Sequence, residues 1–147
     1  MRELDQLENN NLKVLTEKSI SFTLIEPTKT ALHKSIMDAT APVRKYLKDK
    51  GLHDYDLQGT GARENGVNIT SLLYLNNKTI EVNASLYRPK AKGKGGNPRI
   101  WFSKLNTYSN PNDILALIDF DKIIHVINLS QIPIRELITD VSHLITA

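Results

Sequence analysis

The sequence VNITSLLYLNNKTIEVNASLY, residues 67–87, decides the fold class of this chain. Two apolar-rich runs flank the turn-forming tripeptide Asn76-Asn77-Lys78. From Thr79 onward apolar and polar residues alternate, which is the period of a strand with one face in a core. The stretch therefore predicts a β-hairpin with strands at 67–75 and 79–87.

Outward from this hairpin, the chain contains further short apolar runs bounded by turn residues. These runs predict strands at 21–25, 100–102, 114–120 and 123–129. A short turn or helix is predicted at 104–108. Many short strands with few helices favour a mainly-β open barrel or sheet.

Start and stop signals predict helices between the first strand and the hairpin. Thr28 or Thr30 can cap a helix that extends through Met37. Thr40-Ala41-Pro42 starts another helix, with proline in its first turn, and Gly51 ends it. The region is therefore expected to hold one kinked helix or two short ones.

The 147 residues fit one domain that can bury a core without disulfides. Residues 1–18 are expected to be an N-terminal extension or weak helix that need not belong to the core. Residues 19–130 form the main folded unit. Residues 131–147 are predicted to be a closing helix, opened by Pro133, with an apolar face. This helix has no polar tail. We therefore give equal weight to the chain being a unit of its own and to its being a fragment or module of a longer protein.

Composition excludes several classes of protein. The chain has no cysteine, so it has no disulfide framework, thiolate zinc site or cysteine nucleophile. No apolar stretch approaches the roughly 20 residues of a membrane span, and the first residues do not form a signal peptide. The net charge of +3 is only mildly basic. A cytoplasmic protein is expected.

Charge is nevertheless distributed unevenly along the chain. Between Glu81 and Asp113 there is no acidic residue. The basic residues of this stretch are Arg88, Lys90, Lys92, Lys94, Arg99 and Lys104. Glycines separate some of the lysines, so a flexible loop could follow a phosphate backbone. The stretch predicts a polyanion-binding surface, and the alternative is a solvated loop that protects a sheet edge.

A second polar loop, HDYDLQGTGARENG at 53–66, precedes the hairpin. It holds side chains that can hydrogen-bond base edges or phosphates, namely His53, Tyr55, Gln58, Arg63 and Asn65. Gly59 and Gly61 would let the backbone approach a duplex closely. Two polar loops that flank one hairpin indicate two arms straddling a groove.

Signals for catalysis, metals and cofactors are lacking in the sequence. No Asp or Glu is followed two positions later by Lys, the pattern of many metal-dependent nucleases. The histidines are far apart in sequence, and Gly59-Thr60-Gly61 lacks the Lys-Ser/Thr of a phosphate loop. We therefore expect a protein that is not an enzyme and that carries no catalytic residue, metal or cofactor.

Four blocks of sequence resemble a known family. They are KSIMDATAPVR at 34–44, HDYDLQG at 53–59, LYRPK at 86–90 and NPRIWF at 97–102. Together they resemble the N-terminal EcoRII-like effector domains of restriction endonucleases, of the kind fused to MvaI/BcnI-type catalytic domains. The similarity covers about residues 20–130.

This resemblance implies an open, seven-stranded DNA-binding pseudobarrel with short helices. Two arms, at about 53–65 and 88–99, would grip double-stranded DNA in the major groove at a short site, with CCWGG as the candidate. Cleavage would belong to a separate catalytic nuclease domain, to which 131–147 would be the linker.

DNA contacts are assigned to two groups of residues from the chemistry of their side chains. Phosphate contacts are expected from Lys34, Arg44, Lys90, Lys92, Lys94 and Lys104. Base contacts are expected from His53, Tyr55, Gln58, Arg63, Arg88 and Arg99. Asn65 and Asn97 are further expected DNA contacts.

Three other functions remain open from the sequence. An RNA or single-strand binder would use Trp101, Tyr87 and Tyr108 as stacking platforms, although core packing is the favoured role for Trp101. A protein-interaction module would leave the basic loop merely solvated. A metal-dependent nuclease would need dispersed carboxylates such as Asp113, Asp119 and Asp121.

Overall fold

The computed structural model describes residues 1–76, 78–90 and 96–137. The strands are β1 (Thr23–Ile25), β2 (Ile36–Asp38), β3 (Val67–Tyr74), β4 (Thr79–Tyr87), β5 (Arg99–Phe102), β6 (Leu115–Phe120) and β7 (Ile123–Asn128). The α-helices are α1 (Gln6–Glu17), α2 (Lys29–Lys34), α3 (Ala41–Asp49) and α4 (Leu105–Tyr108). Single 3₁₀ turns occupy Tyr55–Leu57, Arg63–Asn65 and Ile134–Leu137.

The seven strands form one mixed sheet, in the order β1-β6-β7-β3-β4-β5-β2, which curls into a half-barrel. Strands β3 and β7 are parallel, whereas all other neighbours are antiparallel. The two edge strands, β1 and β2, have only three residues each. The predicted mainly-β class with seven strands is therefore confirmed at this level.

The predicted central hairpin is present, and it pairs β3 with β4 from Val67 opposite Leu86 to Tyr74 opposite Thr79. Ile69, Ala84 and Leu86 lie in the main core, which α3 closes with its buried residues Val43 and Leu47. The alternation along β4 has the predicted physical cause from Thr79 to Ala84, where one face of the strand packs inward, but Ser85 and Tyr87 on the other face are buried as well. Asn77, in the turn, lies outside the described residues.

A second core lies on the other face of β6 and β7. Leu117 belongs to the main core, while its neighbours Ala116 and Ile118 belong to the second core together with Leu15 of α1. The segment expected to be an extension or weak helix that need not belong to the core is helix α1, and its fully buried Leu15 packs in this second core. A capping box between Asp5 and Glu8 starts the helix.

One predicted helix is too long. Helix α2, capped by Thr28, ends at Lys34, and Ser35 has a left-handed backbone with φ of 56°. Ile36–Asp38 is instead the edge strand β2, which pairs antiparallel with β5. Pairing with a distant strand overrides the local helical pattern here, and it buries Met37.

The other local predictions hold. Helix α3 has Pro42 in its first turn, and Gly51, with φ of 70°, follows its end. Strands β1, β5, β6 and β7 and helix α4 lie where they are predicted. Of the closing helix only the 3₁₀ turn at Ile134–Leu137 is described. Within the described residues no helix has the length and hydropathy needed to cross a bilayer.

Candidate functional site

An open groove of about 1090 Å³ lies between the polar loop after α3 and the end of β4. We call it the loop groove. Its walls come from loop 51–67 and from Lys48, Tyr87, Arg88 and Lys90. It therefore brings the first predicted arm together with the start of the second.

The first turn of the loop is fixed by backbone hydrogen bonds. The amides of Leu52 and His53 both donate to the carbonyl of Leu47, at 2.9 and 3.3 Å, which ties the loop to the end of α3. The Asp54 carboxylate then accepts from the amide of Asp56 at 3.0 Å and starts the 3₁₀ turn at Tyr55–Leu57. The loop consequently leaves the helix in a defined direction.

Tyr55 is an anchor in the core and is not free to contact bases. Only 3% of its surface is exposed, and its hydroxyl donates to the carbonyl of Arg99 at 2.8 Å. Burial raises the pKa of its hydroxyl. The prediction that Tyr55 contacts bases is therefore corrected, because its polar atom is already bonded inside the protein.

Gln58 and His53 also use polar atoms internally. The Gln58 side-chain amide donates to the carbonyl of Leu86 at 2.8 Å, and its oxygen lies 3.0 Å from His53 Nε2. Because that oxygen can only accept, His53 must donate through Nε2. These two side chains shape the wall of the loop groove, and the predicted base contact from the Gln58 amide would have to use the second N–H and the second lone pair that these bonds leave.

Arg88 joins the two predicted arms. Its Nε donates to the carbonyl of Gly96 at 3.0 Å, and its terminal nitrogen donates to the carbonyl of Gln58 at 3.1 Å. Its own carbonyl accepts from the amide of Gly61 at 2.8 Å. We call this set of contacts the Arg88 junction. The guanidinium predicted to contact bases is thus engaged in holding the loops together.

The junction is also tight at Gly96. A Cβ added there would lie 1.7 Å from the carbonyl oxygen of Pro89, so only glycine fits without a backbone shift. This close approach explains a glycine at this position.

Arg63 lies over the single tryptophan, in a second, smaller cleft. Its guanidinium carbon is 4.3 Å from the centre of the half-buried Trp101 ring, which is a cation–π contact. Tyr87 and Tyr108 are only 7% and 5% exposed. Tyr87 and Tyr108 are therefore too buried to stack on bases, whereas Trp101 is partly exposed and has Arg63 over its ring.

A third cleft, of about 580 Å³, lies between the edge strands β1 and β2. Lys34 and Arg99 both line it. The Arg99 guanidinium forms an ion pair with Asp38, its partner across the two strands. Tyr87 lines all three clefts, so they adjoin one another along one side of the molecule.

The remaining predicted contacts are dispersed. Asn65 lines the loop groove, and Asn97 is exposed in the second arm. Arg44 donates to the carbonyl of Ala39 at 2.7 Å and lines a different depression. Lys104 is exposed beyond the far end of β5, away from Arg99. Lys92 and Lys94 lie outside the described residues.

Sequence reasoning missed three residues of the loop groove. Leu57 and Val67 are 85% and 41% exposed, although both are apolar. Lys48, near the end of α3, pairs with Asp54 at 3.7 Å on the rim of the groove. A lone leucine in the polar loop HDYDLQGTG was the available signal.

Within the described part of the chain, no group of three or more potential metal ligands lies together. Asp113, one of the carboxylates considered for a dispersed nuclease site, accepts hydrogen bonds from Asn110, Asn128 and Gln131. These contacts give Asp113 a structural role at the end of the sheet.

No family model matches this chain, and no curated protein or solved structure matches it either.

Proposed function

We propose that this domain binds double-stranded DNA with sequence preference. The observation that carries the proposal is the set of three clefts that share Tyr87, because basic side chains line all three and amide and imidazole side chains line the loop groove. An extended ligand suits such a set better than a small molecule does. Duplex DNA presents both phosphates and base edges to side chains of these types.

The charge distribution in the clefts supports binding with sequence preference over indiscriminate polyanion binding. Lys48 and Arg99 both have carboxylate partners, Asp54 and Asp38, which reduce the local positive charge. Exposed Lys34 provides charge in one of the three clefts, and exposed Lys90 provides charge in the other two. Phosphates would thus be contacted at separated points.

The roles of individual residues follow from the observed contacts. Phosphate contacts are proposed for Lys34, Lys48 and Lys90, together with Lys92 and Lys94. Base contacts are proposed for Arg63, Asn65 and Asn97, with His53 in the groove wall. Tyr55, Gln58 and Arg88 position the two loops.

We further propose that the domain serves a restriction endonuclease as its recognition module, with CCWGG as the candidate site. The cleaving nuclease domain would be a separate partner, and the protein would act in the cytoplasm, where its DNA target lies. The support is the resemblance of the four sequence blocks, together with the curled seven-stranded sheet.

Selection from a randomised duplex pool tests the proposal. The full chain is incubated with the pool at near-physiological salt without magnesium, and the bound sequences are read. We expect enrichment of one short motif, with a specific affinity at least about a thousand-fold above that for unselected duplex. A pool recovered without enrichment would contradict the proposal.

Replacement of Arg63 by alanine should relax discrimination at one base pair of the selected site, by about 1–3 kcal/mol. It should also move the emission of Trp101 to longer wavelength, because water then reaches the ring face that the guanidinium covers. Fluorescence and competition binding measure the two effects. Arg135→Ala, which removes an exposed arginine beside α1, is the matched control. An equal loss on all duplexes would contradict a base contact.

A further inference from the structure

Two exposed apolar side chains lie on the same groove. Among the described residues, the exposed large hydrophobic side chains are Met1, Leu57 and Val67. Leu57 and Val67 both line the loop groove. Single exposed apolar residues are ordinary on protein surfaces, but two in one groove are not a scattered distribution.

Leu57 is held rigidly in spite of its exposure. Its amide donates to the carbonyl of Asp54 at 3.2 Å, and the next amide donates to the carbonyl of Tyr55 at 3.1 Å. Two residues earlier, Tyr55 is buried in the core and hydrogen-bonded to Arg99. The next residue, Gln58, is hydrogen-bonded to β4. The 85% exposed side chain is therefore presented by a fixed backbone.

The surroundings of Leu57 indicate what it meets. The groove also contains polar side chains, and its rim carries Lys48 and Lys90. An apolar peptide would bring no further counter-charge to these lysines, of which Lys48 has only its pair with Asp54, whereas a duplex brings phosphates to both. In the major groove, the apolar feature of a base pair is the 5-methyl group of thymine.

We propose that Leu57 and Val67 form a contact site for the 5-methyl group of a pyrimidine in duplex DNA. The inference rests on the proposed DNA binding and adds a chemical class of base to it. Thymine, or cytosine methylated at C5, is favoured at one position of the site. Unmethylated cytosine and uracil at that position bind less tightly, because apolar surface on the leucine stays in water.

The test uses single-methyl changes in the selected duplex. Each thymine is replaced in turn by deoxyuridine, and each cytosine by 5-methylcytosine. For the wild-type chain we expect one position at which loss of the methyl group weakens binding about three- to five-fold, or its addition strengthens binding similarly. Leu57→Ala should bind the preferred duplex less tightly and should not distinguish the methylated from the unmethylated base there.

Two controls accompany this measurement. Thermal unfolding of Leu57→Ala should match the wild type, because the side chain is exposed. Val67→Ala, which removes the second apolar wall, should reduce the methyl preference without abolishing it.

The outcomes separate this inference from the proposed function. A wild-type chain that binds its selected site but ignores every methyl change overturns the methyl contact and leaves DNA binding intact. A methyl preference that persists in Leu57→Ala also overturns it. So does a loss of affinity in Leu57→Ala that is equal for the methylated and the unmethylated base, because Leu57 would then contact the duplex without contacting the methyl group. A chain that selects no duplex overturns the proposed function itself.

Discussion

Replacing Arg2 by methionine is expected to lower the free energy of unfolding by about 3 kcal/mol at neutral pH. The Arg2 guanidinium pairs with Glu8, whose side chain is fully buried at the start of α1. The same carboxylate accepts from the Ser130 hydroxyl and from the amide of Asp5 at 2.9 Å. Without the guanidinium, a buried carboxylate loses its charged partner and keeps its desolvation cost.

The pH dependence of this effect has a defined sign. The hydrogen bond from Arg2 is the main reason that the pKa of Glu8 falls from 4.5 to about 2 in the folded protein. A carboxyl group with a lowered pKa stabilises the fold above about pH 4.5, and this contribution is lost as the pH falls towards 2. The difference corresponds to about 3 kcal/mol.

Urea unfolding at several pH values, followed by circular dichroism, measures the difference between the wild type and Arg2→Met. The difference in the free energy of unfolding should have its full size above about pH 5 and should disappear as the pH approaches 2. Lys13→Met is the matched control, since it removes a cation of α1 whose partner Glu17 lies 3.9 Å away with both side chains exposed. It should cost less than about 0.5 kcal/mol. A difference of constant size at every pH would contradict the assigned role of Glu8.

The position of α1 illustrates what local patterns indicate and what they leave open. The first part of β4, residues 79–84, has one buried face, shows alternation and is predicted well. In β6 and β7 the burial is nearly continuous, because both faces are covered. The unbroken apolar runs were a signal that a second layer had to exist, but nothing local identified α1 as that layer.

The sequence patterns did not predict β2 or the internal bonds of the site residues, and the reason is related. The partner of β2 is β5, far along the chain, and no local pattern contains that pairing. The polar residue types of the two loops were correctly noted, but sequence does not tell which polar atoms are bonded internally. Tyr55, Gln58 and Arg88 all proved to have internal partners. The sequence thus located the two polar loops, and the structure shows which of their polar side chains are bonded inside the protein.

Breaking the Arg88 junction should therefore weaken DNA binding more than removing any single exposed cation. Arg88→Met loses two hydrogen bonds from a charged group, to the carbonyls of Gln58 and Gly96. Gly96→Ala should disrupt the same junction from the opposite side, because its Cβ would collide with the carbonyl of Pro89. Each change should weaken binding to the selected duplex about 100-fold, which corresponds to about 2–3 kcal/mol.

The double variant distinguishes a shared junction from two independent contacts. Both changes release the same loops. The double variant Arg88→Met, Gly96→Ala should therefore bind as tightly as the single variant with the lower affinity. Fluorescence anisotropy measures these affinities. Lys90→Met is the control, since it removes an exposed cation at the groove rim and should cost only a few-fold while reducing the salt slope by about 1. Additive losses would mean that Arg88 contacts DNA directly, because a residue that acts only by holding the loops has nothing left to contribute once Gly96 has displaced them.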